Sequence, residues 1–139
     1  MKTTEILSIA IYGIVGCIAL NMAFKNLVSK KWIGFYEKAV TTSWDSLENP
    51  LKYVILALMR VSGLGFLMVS ILLIVFPIVN HFINDTFLRV IIPAISFVFC
   101  LGLFLVNYLL HKQTNSRTPW KASLIAMTAI IIGLILSLL

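Results

Sequence analysis

Along this chain the apolar and polar residues do not alternate; they separate into four long apolar runs joined by short polar segments. The runs cover residues 6–24, 51–79, 90–110 and 122–139. Each is close to or above the ~20 residues that a helix needs to cross a bilayer. Unbroken apolarity predicts helices, because a barrel strand would show an in-out alternation. The connection between the first two runs has a pattern of its own. On a helix over residues 27–41, Val28, Trp32, Phe35, Tyr36 and Ala39 recur at spacings of three and four and form one apolar face. Lys30, Gly34, Glu37 and Thr41 fall on the opposite face, with Lys31 and Lys38 at its edge. A basic amphipathic helix directly after a spanning helix is expected to lie in the membrane interface. Lys30, Lys31, Trp32, Phe35, Tyr36 and Lys38 would be its anchor, the rings among the headgroups and the lysines drawn to anionic lipid. The prediction is an all-α integral membrane protein. It has one domain, residues 1–139, with four transmembrane helices and an amphipathic interfacial helix between helices 1 and 2.

Composition supports this class. The 139 residues are 60% hydrophobic and 12% charged, about half the charged fraction of soluble domains. Mean hydropathy is +1.04, and a chain of this size has too much surface to hide four such runs in a soluble core. The placement of charge adds an orientation. Lys25, Lys30, Lys31, Lys38 and Lys52 lie between the first two runs, and Lys112, Arg117 and Lys121 between the last two. The other side has only Lys2 and Arg89. The positive-inside rule therefore predicts a cell membrane protein with both basic connections cytoplasmic and both termini outside. Its size and simplicity suggest a bacterial plasma membrane.

Arg60 is the one charge embedded in a run, and such residues are expensive enough to be candidates for function. Asn21, Asn107 and Tyr108 are expected at a comparable depth, giving a candidate polar layer suited to an anionic headgroup at the inner leaflet. The alternative is an Arg60 that snorkels to the interface. Gly13 and Gly16 in the first run, and Ala122, Ala126, Ala129 and Gly133 in the fourth, form small-residue faces for close helix packing. Such packing serves one bundle or a homo-oligomer. Asn49-Pro50 reads as the capped start of the second spanning helix.

Candidate chemistry is sparse. His81 and His111 fall at opposite membrane faces, Cys17 and Cys100 have no metal-ligand spacing, and Asp45 and Glu48 have no histidine nearby. No catalytic, cofactor or metal site is expected, and the chain does not read as an enzyme. Ile14-Val15-Gly16-Cys17 resembles the lipobox of bacterial lipoproteins, whose processing would leave a lipidated Cys17. The run continues through Ile18-Ala19-Leu20, which favours a spanning helix. Small multidrug-resistance transporters carry a glutamate within helix 1; here Glu5 stands at its entrance, so the usual proton-coupling group is missing. The expected function is that of a non-enzymatic accessory or interaction protein at the inner leaflet, lipid-binding or protective in the manner of an immunity protein. Its partners would be the lipid bilayer and its anionic headgroups, with a membrane protein or a second copy as a further candidate. Nucleic acid is excluded, since burial of the aromatics removes a stacking platform. The alternative is a small oligomeric transporter or channel subunit.

Overall fold

The computed structural model describes residues 3–40 and 42–139, Phe35 by its backbone alone. The chain forms α1 (Thr3–Val28), α2 (Gly34–Val40), α3 (Asn49–Ile83), α4 (Thr86–Thr114) and α5 (Trp120–Leu138), with a 3-10 turn at Trp44–Ser46. Among the described residues there is no strand. Four helices, α1, α3, α4 and α5, are long and apolar enough to cross a membrane. This is an all-α membrane architecture.

The first three helices outrun the apolar runs that predicted them, because leaving the hydrocarbon does not itself end a helix. A backbone stop does. Asn84 (φ 57°) and Asn115 (φ 51°) adopt the left-handed conformation that closes α3 and α4. Asp85 then caps α4, its carboxylate accepting from Phe87 N at 2.7 Å. Asn84 and Asp85 thus make the whole turn between α3 and α4. At the start of α3 the capping position is Glu48 rather than Asn49, which already lies in the helix beside Pro50.

The expected helix over 27–41 is replaced by a shorter one. α1 persists to Val28, and the chain then turns where Ser29 Oγ donates to the Lys31 carbonyl at 2.6 Å. Helix resumes only at Gly34. The Phe35 side chain and Thr41, both part of the expectation, lie outside the described residues. Trp32 explains the break. It is 7% exposed and meets the Trp44 ring edge-to-face at 5.5 Å, with Met59 of α3 in the same cluster. Burying an indole there favours a bend over continued helix.

α1 packs along α3 and α5, and α4 closes the ring against α5 and, more thinly, α3. Helices consecutive along the chain are therefore neighbours, as in an up-and-down bundle. Tyr12, Val15, Val69, Leu73, Cys100 and Ile130 form the central cluster. Around it, Phe24, Leu58, Val98, Val106 and Ile125 face away from the protein, an apolar belt suited to lipid rather than water.

Candidate functional site

The expected polar layer divides on placement. Asn26 of α1 lies against Gly63 of α3, so the end of α1 is level with residues about one turn beyond Arg60 along α3. Arg60 is exposed and, among the described residues, makes no hydrogen bond or ion pair. Asn21 is also exposed, and lies roughly 12 Å deeper by its register along α1. Asn107 donates its side-chain amide to the Leu103 carbonyl at 2.9 Å, while its backbone carbonyl accepts from the Thr118 hydroxyl at 2.7 Å. Tyr108 stacks on Phe104 at 5.7 Å and meets Trp120 at 6.0 Å. No hydrogen bond links these four. The buried amide at this end is Asn26, 4% exposed and donating to the Met22 carbonyl at 2.8 Å. Its signal in the sequence is a shared face with Ala19 and Ala23, both buried.

Of the expected anchor, Lys30, Lys31 and Lys38 are exposed, whereas Trp32 is buried within the protein. Tyr36 packs against the Trp32–Trp44–Met59 cluster, and burial holds its hydroxyl pKa above the ordinary 10.0. Of the small residues, Gly16 and Gly133 sit at helix contacts. An added Cβ would stand 2.6 Å from Ile74 Cγ1 at the first and 2.6 Å from Tyr12 Cε1 at the second. Ala126 and Ala129 pack on the core, Gly13 has nothing within 4 Å, and Ala122 is exposed.

The densest polar grouping lies at the other end of the bundle, where α1 begins and α5 finishes. Arg89 is its hub. One Nη2 bond reaches Glu5 Oε1 at 3.2 Å, a second goes to Asn84 Oδ1, and Nη1 donates to the Ser137 carbonyl at 3.4 Å. Side chains from α1 and α4 and a carbonyl from α5 thus converge, and the Glu5 and Arg89 side chains remain 25% and 24% exposed. Asn80, 5% exposed, supports the arrangement from α3 by accepting from Asp85 N at 3.1 Å. Glu5, His81, Asn84, Arg89 and Ser137 border a polar vestibule of about 530 Å³. In the sequence Glu5 stands at the entrance of the first run and Arg89 is one of two positive charges on the outer side, and no local pattern links residues 84 positions apart.

Below the vestibule the bundle narrows to a neck of about 50 Å³ lined by Ser8, Tyr12, Leu73, Pro77, Arg89 and Pro93 among others. Ser8 Oγ donates to the Gly133 carbonyl at 2.8 Å, and Ser137 Oγ to the Leu134 carbonyl at 2.8 Å. The Tyr12 hydroxyl lies near both serine hydroxyls without a well-formed hydrogen bond, although Tyr12 is 3% exposed. Tyr12 and Leu73 floor the neck; on the other side of the same core layer, Val15, Val69 and Cys100 face a second cavity. That chamber measures about 410 Å³, is almost wholly apolar, and extends to Asn107 and Pro119. It exists because α5 presents Ala122, Ala126 and Ala129 where larger side chains would fill the space.

Among the described residues no group of three or more His, Cys, Asp or Glu is placed to hold a metal ion. The chain matches no family model, no curated protein and no solved structure.

Proposed function

We propose that this protein is a non-enzymatic accessory protein of the bacterial plasma membrane that holds an amphiphile, its headgroup at the cytoplasmic leaflet. One observation carries the reading: an apolar chamber of about 410 Å³ bounded by all four spanning helices, within the ~300–1,000 Å³ range of small-molecule sites. The chamber lies toward the end of the bundle that carries Lys25, Lys112, Arg117 and Lys121, where an anionic headgroup would be favoured. Protection of the membrane against a toxin is one form such a role takes, with a membrane protein partner or second copy recruited by the same surface. Native mass spectrometry from mild detergent tests it. Wild type should retain phosphatidylglycerol, and Ala126→Phe, which fills the chamber, should weaken retention by roughly tenfold. Undiminished retention in that variant rejects the reading.

One observation favours a transporter or channel subunit instead. Neck and chamber approach each other from opposite sides of one layer of core side chains. Solute flux in proteoliposomes that Ala126→Phe abolishes would replace the first reading with the second.

A further inference from the structure

The vestibule and neck divide their hydrogen-bonding capacity by height. At the mouth stand unused donors. Arg89 carries five N–H groups, of which two on Nη2 and one on Nη1 are engaged by Glu5, Asn84 and the Ser137 carbonyl. Nε–H and the second Nη1 hydrogen have no partner among the described residues. In the neck the unused groups accept. Ser8 and Ser137 spend their protons on backbone carbonyls, so their oxygens can only accept. Tyr12 brings a buried hydroxyl with no well-formed hydrogen bond, whose oxygen accepts when its proton turns toward one of the serines. Pro77 and Pro93 lack the N–H groups that would pair with the carbonyls of Leu73 and Arg89, four residues earlier on each helix. All of these residues line the neck. Glu5, at the boundary, bonds Arg89 through Oε1, leaving Oε2 as a further acceptor.

This polarity selects a ligand. The Glu5–Arg89 pair is neutral as a unit, so a lone ion would meet no net attraction, whereas a ligand carrying both charges meets each in turn. We infer that the site takes a small zwitterion, its primary ammonium descending into the neck beside Glu5 and Tyr12 and its neighbouring oxyanion meeting Arg89 at the mouth. The neck sets the specificity. An –NH3+ entering it offers three donors to the oxygens of Glu5, Ser8, Tyr12 and Ser137 that line it. A trimethylammonium has no N–H and donates nothing. Two sources share this chemistry: an ethanolamine phospholipid headgroup and a free amino-acid-like zwitterion. The inference does not depend on the chamber reading, because different side chains form the two cavities.

The test uses the full chain in phosphatidylcholine nanodiscs. Calorimetric titration compares phosphoethanolamine with phosphocholine and glycine with its trimethyl analogue; native mass spectrometry of the Ala126→Phe protein, whose chamber is filled, compares discs doped with phosphatidylethanolamine or phosphatidylglycerol. Preference for the primary ammonium by about tenfold or more is expected. Binding of the soluble probes assigns a free zwitterion, and binding of the doped lipid alone assigns a headgroup. The double variant Glu5→Arg/Arg89→Glu keeps an ion pair between α1 and α4 but reverses its direction, so it should melt like wild type and lose the preference. Should it fail to fold, Tyr12→Phe decides, by weakening the ammonium probes while leaving the ion pair intact. Equal binding of primary and quaternary ammonium probes, equal binding of phosphatidylglycerol, or an undiminished preference in the reversed or Tyr12→Phe protein overturns the inference. Ala126→Phe should leave it unaltered, which separates its failure from that of the chamber reading.

Discussion

Gly13 and Gly133 differ by what stands opposite them. At Gly133 an added methyl would meet the Tyr12 ring at 2.6 to 3.1 Å, and Tyr12 has little room to retreat because it is itself buried in the central cluster. Overpacking of this kind costs ~1–3 kcal/mol. At Gly13 there is nothing within 4 Å, so alanine keeps only its advantage over glycine in a helix, ~0.5–1 kcal/mol. Thermal unfolding in detergent should therefore show Gly133→Ala melting below wild type and Gly13→Ala at or above it. Both glycines were legible in the sequence as members of small-residue faces. Spacing identifies a face, but which member meets a neighbour depends on the partner helix, and Tyr12 lies more than a hundred residues from Gly133. The same distance hid the polar end of the bundle: Glu5 and Arg89 each read as an ordinary interfacial charge until α1 and α4 were brought together.

At the scale of elements, α3 decides how the basic end is built. Its 35 residues span about 52 Å, well beyond a hydrocarbon core of ~30 Å. Its first turns overhang the end of α1, and the Trp32–Trp44–Met59 cluster covers them. Periodicity pointed to one amphipathic helix here because aromatic spacing of three and four fits a lipid-facing stripe and an intramolecular cluster equally well. Trp44, twelve residues beyond Trp32, supplies the competing surface that a local window does not contain. Trp32→Ala forfeits ~3–5 kcal/mol of burial, partly offset because the indole Nε1 is buried without a partner, a state that costs ~1–3 kcal/mol. The net loss, about 2 kcal/mol, should appear as faster proteolysis and hydrogen exchange in the segment around α2, with the central cluster still protected because Trp32 takes no part in it. Alkali should loosen the same segment. Burial raises the Tyr36 pKa above 10.0, so its contribution is intact below pH 10 and is lost as pH climbs through the raised folded value. Tyr36→Phe should remove that dependence.

For the whole molecule, charge separates the two ends more sharply than a count suggests. Lys25, Lys30, Lys31, Lys38, Lys52, Lys112, Arg117 and Lys121 all belong to the end with the long connections. At the other end Arg89 is neutralised by Glu5, which leaves still less positive charge there to oppose insertion in that sense. Under the positive-inside rule the basic end faces the cytoplasm. The prediction is checked in a protein carrying Cys17→Ala and Cys100→Ala with one new cysteine at an exposed position, Thr86→Cys at the start of α4 or Gln113→Cys near its end. A membrane-impermeant maleimide should label Thr86→Cys in intact cells and Gln113→Cys only after permeabilisation; the opposite pattern would invert the molecule. That outcome would alter function as well as topology. In the predicted sense the vestibule opens to the outside while the chamber lies beside the cytoplasmic leaflet, so zwitterions would reach one cavity from water and lipids the other from the membrane. In the inverted sense the vestibule would sample cytoplasmic zwitterions, and the exposed lysines would face a leaflet against the charge bias that orients membrane proteins.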